Sequence, residues 1–239
     1  MFCLFMLKMP RKFGLESPLN VWQWVGLSYL FITCGLVVGI ALSEDSSINW
    51  VRGLIISFCV FMLLLLIFAL RVSLLDPSQT PLVESDLIIC QFCSKTQSKS
   101  SKHCRRCDKC VPGFDHHCLW LNTCIGTRNY FSFFTSVLAL TASSISAFII
   151  GLTRIILYSN EQKKQWGDNL GMSLGIVMML IQTPWMLGSL DLLLMHCYLV
   201  SSKQTTYAFL MRRKDQDLLS VPWFIAVFRL QKDRPINSA

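Results

Sequence analysis

Residues 90 to 124 read Cys90-x2-Cys93-x9-His103-Cys104-x2-Cys107-x2-Cys110-x4-Asp115-His116-His117-Cys118-x5-Cys124. Seven of the chain's 11 cysteines and three of its four histidines fall in this stretch. A Cys-x2-Cys pair puts two thiolates on one turn, where both reach the same tetrahedral ion. With ten candidate ligands present, two closed four-ligand sites use eight. Spacing alone does not say which two groups remain in or near Asp115 to Cys118, but it leaves one thiol and one imidazole for chemistry. The stretch has few large apolar side chains, so metal binding must supply its folding energy. A purely structural zinc ribbon is the alternative reading of the cluster.

Outward from this stretch the chain turns apolar. Of its 239 residues, 53% are hydrophobic and only 15% charged, against about 25% charged in a soluble domain. Four blocks are long enough to cross a bilayer, which takes about 20 apolar residues. They are Val21 to Leu42, Gly53 to Leu70 between Arg52 and Arg71, Phe131 to Thr153, and Leu170 to Leu190 continuing towards Val200. Met1 to Pro10 lacks both the apolar run of a span and the signature of a signal peptide. The expected fold class is an all-α polytopic membrane protein, with four transmembrane helices and a cytosolic zinc-binding cysteine-rich domain between the second and third. The expected division is a cytosolic N-terminus (1–20), helices 1 and 2 (21–75), the cysteine-rich domain (76–130), helices 3 and 4 (131–200) and a cytosolic tail (201–239).

Charge sets the orientation. The net charge is +8, and the excess sits before span one, between spans two and three, and after span four. Lys8, Arg11, Lys12, Lys102, Arg105, Arg106, Lys109, Arg212, Arg213 and Lys214 all lie there. The opposite loops carry Glu44 and Asp45, and Lys163 and Lys164 balanced by Glu161 and Asp168. Positive loops stay inside, facing anionic headgroups, so both termini and the cysteine cluster are expected in the cytosol. Thiols there stay reduced, and seven cysteines cannot all pair, which argues against a disulfide framework.

Asp115-His116-His117-Cys118 in this ladder, followed by Trp120, Asn122, Cys124, Gly126, Asn129 and Phe133, resembles the DHHC cysteine-rich domain of protein S-acyltransferases (palmitoyltransferases). The resemblance runs without a gap from Cys90 to about Phe133. It implies one zinc on Cys90, Cys93, His103 and Cys110, and a second on Cys104, Cys107, His117 and Cys124. It leaves His116 and Cys118 for chemistry. Asp76-Pro77-Ser78 is similar to the family's Asp-Pro-Gly with the glycine replaced. Thr205-Thr206-Tyr207-Ala208 is similar to its Thr-Thr-x-Glu with the glutamate missing, a change expected to remove a polar anchor near the site. Leu119 stands where proline often follows the cysteine.

A free thiol is mostly protonated at neutral pH, with a pKa of about 8.5, and only the thiolate attacks. His116 is the expected base, with Asp115 orienting it, as in a Cys-His-Asp triad. The resemblance implies that Cys118 takes the acyl group from a long-chain acyl-CoA such as palmitoyl-CoA and passes it to a cysteine of a substrate protein, with both zinc ions structural. Lys102, Arg105, Arg106 and Arg128 are candidates to meet the CoA phosphates. The small residues Ala142 to Ala147 on span three, Ser143 and Ser146 among them, are candidates for a deep acyl-chain slot, or else for close helix packing.

Asp191 and His196 on span four are expected at the interface or in helix packing. Leu218 to Phe228 reads as a short interfacial anchor. Cys34, Cys59 and Cys197 read as packing or lipid-facing residues, with Cys3 a possible acylation target. Expected partners are membrane lipid, acyl-CoA, substrate proteins with membrane-proximal cysteines and an accessory subunit, in the endoplasmic reticulum or Golgi. Nucleic acid is not among them, because Trp120, Tyr130 and Phe131 do not alternate with a basic stripe. A RING module is disfavoured by the lack of a Cys-x-His step. The competing function is a catalytically weak zinc-containing membrane scaffold with the same fold.

Overall fold

Asn20 begins the first helix with a reciprocal cap. Its Oδ1 accepts from Gln23 N at 2.9 Å, while Gln23 Oε1 accepts from Asn20 N at 3.0 Å, a capping box that fixes the chain's entry into an uncharged apolar run. The computed structural model describes residues 10–43, 49–79, 87–160 and 166–232. Cys3, Lys8, Glu44, Asp45, Glu161, Lys163 and Lys164 lie outside them. Among the described residues, four helices are long and apolar enough to span a membrane. They are α1 (Val21–Leu42), α2 (Asn49–Leu74), α3 (Tyr130–Asn160) and α4 (Trp166–Ser201). α1 has the expected bounds. α2 runs through both flanking arginines and stops just before Asp76-Pro77, since a residue preceding proline avoids the helical region. α4, with 36 residues, is about 54 Å long. It outruns a hydrocarbon core of about 30 Å, so Asp191 and His196 ride on its continuation.

α3 is the central helix. Over half of its most apolar window is buried, against less than a quarter for each of the other three helices. Ala147 and Ile150 pack with Val37, Ile40, Phe58 and Met178 from the other three helices. α3 and α4 cross closely at Gly151 and Gly175, where a Cβ on either would sit within 3 Å of the other's carbonyl oxygen. Without water to drive association, membrane helices rely on such small-residue contacts.

The cysteine-rich stretch is built of strands, which corrects the all-α expectation. Three two-stranded antiparallel hairpins follow one another: β1 (Leu87–Ile89) with β2 (Thr96–Ser98), β3 (Ser101–Cys104) with β4 (Lys109–Pro112), and β5 (His116–Cys118) with β6 (Thr123–Ile125). Each turn holds one non-glycine residue of positive φ, namely Ser94 at 55°, Asp108 at 50° and Asn122 at 52°. Asn and Asp tolerate that conformation better than most. Strands of three or four residues flanked by Cys-x2-Cys leave no hydrophobic alternation to read, so the sequence pattern conceals them.

The tail is more than a short anchor. α5 (Thr206–Asp215) and α6 (Trp223–Lys232) fold back on α4, where Leu199, Phe209, Leu218, Ala226, Val227 and Leu230 form a separate core. Trp223 Nε1 donates to Asp191 Oδ1 at 2.8 Å, so Asp191 is a helix-packing residue.

Candidate functional site

Antiparallel register builds two clusters of side chains able to hold a metal. His103 faces Cys110 across β3 and β4, and His117 faces Cys124 across β5 and β6. Each cross-strand pair joins the two cysteines of the preceding hairpin's turn. The groups are therefore Cys90, Cys93, His103 and Cys110, and Cys104, Cys107, His117 and Cys124, with all ligand atoms in each within 4.8 Å of one another. These are the sets the resemblance implied, and they interleave along the chain. Tetrahedral bonds of about 2.3 Å to sulfur and 2.0 Å to nitrogen put sulfurs about 3.8 Å apart and sulfur and nitrogen about 3.6 Å apart. The structure gives 3.6 Å for Cys93–Cys110 and 3.4 Å for Cys107–Cys124. His117 Nδ1 lies 3.3, 3.8 and 3.7 Å from Cys107, Cys104 and Cys124, and His103 Nδ1 lies 3.7 Å from Cys110. Both clusters fit zinc. The other ring nitrogen of His103 meets Asp108 Oδ1 at 3.4 Å, a carboxylate that holds the ligating imidazole in orientation. Asp108 was not singled out in the sequence, although it lies in a Cys-x2-Cys turn.

The same period of two separates structure from chemistry. Successive strand residues point to opposite faces. With His117 turned to the metal cluster, His116 and Cys118 share the other face of β5. Cys118 is 7% exposed and packs with Val72, Ile125, Phe133 and Val137. His116 Nδ1 bonds Asp115 Oδ2 at 2.7 Å, which leaves Nε2 for Cys118. Asp115 is 2% exposed, yet it is well satisfied: Thr206 N donates to its Oδ1 at 2.8 Å and Thr206 Oγ1 to its Oδ2 at 2.7 Å.

The electrostatics follow. Burial alone raises the Asp115 carboxyl, but the bonds from His116 and Thr206 outweigh it and hold the group below its usual value. Burial lowers His116, and the bonds to Asp115 and Cys118 reverse that and push it up to about 9. The surroundings thus favour the charged form of the imidazole.

The sequence marks Thr206 only as part of the Thr205-to-Ala208 motif, with no role of its own. The missing glutamate drew attention to Ala208, which is instead the third residue of α5. Its backbone N–H donates to the Thr205 hydroxyl, the helix N-cap, at 3.1 Å. A glutamate there would complete a capping box. The contact to the site belongs to Thr206.

Cys118 opens on a cavity of about 540 Å³ that enters the bundle. Leu27, Leu66, Leu140 and Trp185 are among its walls, so it is almost wholly apolar. Trp120 pairs with Trp22 and Trp185 at ring distances of 5.0 and 5.3 Å. α3 contributes Phe133, Ser136, Val137 and Leu140 to the lining, not Ser143 or Ser146. Those two serines are buried and turn their hydroxyls back to Leu140 O and Ala142 O. Tyr29, which lines the cavity, bonds Gln182 Oε1 at 2.7 Å and Ser144 Oγ at 3.0 Å, and Gln182 reaches Thr33. This polar layer sits one turn beyond Leu140.

None of the four cation candidates lines the cavity. Lys102 lies over the Tyr207 ring at 5.5 Å and Arg105 over Phe92 at 5.3 Å. Arg106 is exposed. Arg128 is tied to the Asp76-Pro77-Ser78 turn, donating to Asp76 O at 2.9 Å and Gln79 Oε1 at 3.2 Å. Asp76 itself pairs with Lys109 at 2.8 Å, both buried, and so joins the end of α2 to β4. Hydrogen bonding to Lys109 and Ser78 overcomes burial and lowers the Asp76 carboxyl. Asn129 fastens the end of β6 to α3, accepting from Gly126 N and donating to Cys124 O.

Comparison with known proteins agrees with this geometry. The family model described as DHHC palmitoyltransferase matches residues 83–213, more than half of the chain. The chain is 42% identical over 85 residues to Palmitoyltransferase ZDHHC4 of Rattus norvegicus, covering 34% of this chain and 25% of that protein. It is 36% identical over 121 residues to Protein S-acyltransferase 8 of Arabidopsis thaliana, covering 49% and 29%. With Protein S-acyltransferase 10 of Arabidopsis thaliana it shares 33% over 135 residues, covering 56% and 38%. The match thus spans between a quarter and two fifths of these relatives' own lengths. The chain belongs to the DHHC palmitoyltransferase family.

Proposed function

We propose that the chain is a protein S-acyltransferase that moves a long-chain acyl group, palmitoyl in the first instance, from acyl-CoA to cysteines of substrate proteins through an acyl-Cys118 intermediate. One observation carries the reading: a thiol and an imidazole share one face of β5, backed by a buried carboxylate, at the head of an apolar cavity inside a membrane bundle. A thioester carbonyl held at Cys118 would have its chain in the cavity and its CoA outside it.

His116 and Cys118 share one proton, which lies on His116 Nε2 when the sulfur is a thiolate. The imidazolium stabilises negative charge on that sulfur. The thiolate attacks the acyl-CoA carbonyl, the bond from carbonyl carbon to CoA sulfur breaks, and CoA leaves as a thiolate that takes the proton from His116. An acceptor thiol then gives its proton to neutral His116 and its sulfur attacks acyl-Cys118. The Cys118 thiolate departs, and the starting pair is restored. Asp115 holds the ring through Nδ1 and stabilises its charge. Thr206 holds Asp115.

Zinc on the two clusters is structural, because four protein ligands close each site. When bound, it fixes the hairpins, and with them the strand that carries His116 and Cys118. Lys102, Arg105, Arg106 and Arg128 remain the candidates for CoA phosphates. The positive loops support a cytosolic site with both termini on the same side, and the address we assign is the family's default, the endoplasmic reticulum or Golgi. Acceptors are proteins with membrane-proximal cysteines, with an accessory subunit as a possible source of specificity.

The competing scaffold reading rested on Ala208, and the place of that residue in the first turn of α5, away from the contact to Asp115, weakens its support. Two-step transfer predicts ping-pong kinetics. Initial rates measured against palmitoyl-CoA at several concentrations of an acceptor protein should give parallel double-reciprocal lines. Intersecting lines would mean direct transfer without acyl-Cys118.

A further inference from the structure

Residues 11–20 precede the bundle and carry no regular structure, yet they are tied at four points, one on α2 and three in the cysteine-rich domain. Arg11 N donates to Cys107 O at 2.9 Å and Gly14 N to Ser73 O at 2.7 Å. Lys109 Nζ donates to Lys12 O at 3.0 Å, and Asn20 Nδ2 to Leu119 O at 2.6 Å. Gln23 Nε2 closes the segment onto α1 by donating to Gly14 O at 2.9 Å. Internally, the Glu16 carboxylate accepts from Lys12 N and Phe13 N, and Arg11 donates to Glu16 O at 2.6 Å. Gly14 is in backbone contact with the site loop: a Cβ there would lie 2.1 Å from Leu121 O. A strap with this many anchors holds its side chains in place, and two of them, Leu15 and Leu19, line the same cavity as Cys118.

Its anchors show at what depth. Leu119 follows Cys118, Leu121 is three residues on, and Ser73 lies in the last turn of α2 beside Val72, which packs on Cys118. The polar layer of Tyr29, Ser144 and Gln182 lies at the far end. We infer that the strap is a wall of the cavity mouth, and that Leu15 and Leu19 are binding contacts for the acyl carbons nearest the thioester, common to every donor. The inference rests on the acyltransferase reading. Its consequence differs from that of a residue at the far end. Every acyl chain has the same first carbons, so a misfit at the mouth acts on short and long donors alike.

The test uses the purified full chain as wild type, Leu15→Trp and Leu19→Trp, with octanoyl-CoA and palmitoyl-CoA as donors and acylation of Cys118 as readout. Both variants should raise KM about tenfold, the scale of one misfitting side chain in a packed site, by the same factor for the two donors. An unchanged KM, or a rise for palmitoyl-CoA alone, overturns the inference. A second arm needs no variant. A fatty acyl-CoA with a diazirine beside the thioester is irradiated with the wild-type protein, and adducts are mapped by mass spectrometry. Adducts on residues 11–20 are expected, and adducts confined to the helices would overturn the strap's role. Wild type that takes no acyl label from either donor would instead refute the acyltransferase reading, while the cross-linking arm still reports what lines the mouth.

Discussion

Thr206→Val removes one hydroxyl from the site and little else. Valine keeps the shape, and the backbone N–H of residue 206 still donates to Asp115 Oδ1 at 2.8 Å. The bond lost is the 2.7 Å contact from Oγ1 to Oδ2, the same oxygen that holds His116 Nδ1. Asp115 is only 2% exposed, so water does not readily replace the donor. A hydrogen bond to a charged group contributes about 1.5–3 kcal/mol. If the whole loss falls on the orientation and charge of His116, the acylation rate of Cys118 drops by about 10- to 150-fold. The assay is single-turnover labelling with palmitoyl-CoA, with zinc content measured on the same sample. KM should hold, because Thr206 does not line the cavity, and Thr206→Ser should recover most of the rate. A Thr206→Val protein with full zinc and wild-type rate would refute the view that α5 positions the triad.

Ala208→Glu should complete the capping box with Thr205 and stabilise α5 by about 0.5–1 kcal/mol; a rise in melting temperature checks it, with the acylation rate changed little. Asp108→Asn should weaken zinc at the first cluster by about 10- to 100-fold, read by chelator competition, with the second cluster unaffected. Leu140→Trp should shift donor preference to shorter chains, whereas Ser143→Phe should lower stability by overpacking a fully buried site at about 1–3 kcal/mol without a specific change in chain length; donor profiles and melting curves separate the two. The His116 value is raised on folding, so its contribution to stability is complete below its unfolded value of about 6.5 and is lost as pH rises through about 9. Melting temperature should therefore fall between pH 6.5 and 9 in wild type, and His116→Gln should show a flatter profile.

The spans were legible because each is a long apolar run, and α1, uncharged throughout, has the bounds that run predicts. The ligand sets came from the resemblance, and spacing left them open. What made them form, the pairing of His103 with Cys110 and of His117 with Cys124, lies in strands too short to show alternation. The division of labour between His116 and His117 is likewise a consequence of strand geometry that a string of letters does not display. Small residues on a membrane helix serve a cavity or a helix contact equally well, so the letters left Ser143 and Ser146 open between the two; here both are buried and lie outside the cavity lining. Thr206 and the strap were hidden for another reason. Both act through contacts between distant parts of the chain, Thr206 with Asp115 and Asn20 with Leu119. Residues 11–20 carried only charge as a signal.

Detergent-purified chain incubated with radiolabelled palmitoyl-CoA tests the central claim most directly. Wild type should take one acyl group in a bond cleaved by neutral hydroxylamine, and Cys118→Ser, folded and with both clusters loaded with zinc, should take none. Equal hydroxylamine-sensitive label on Cys118→Ser would contradict the account, as would a zinc-loaded wild type that acquires no label at all.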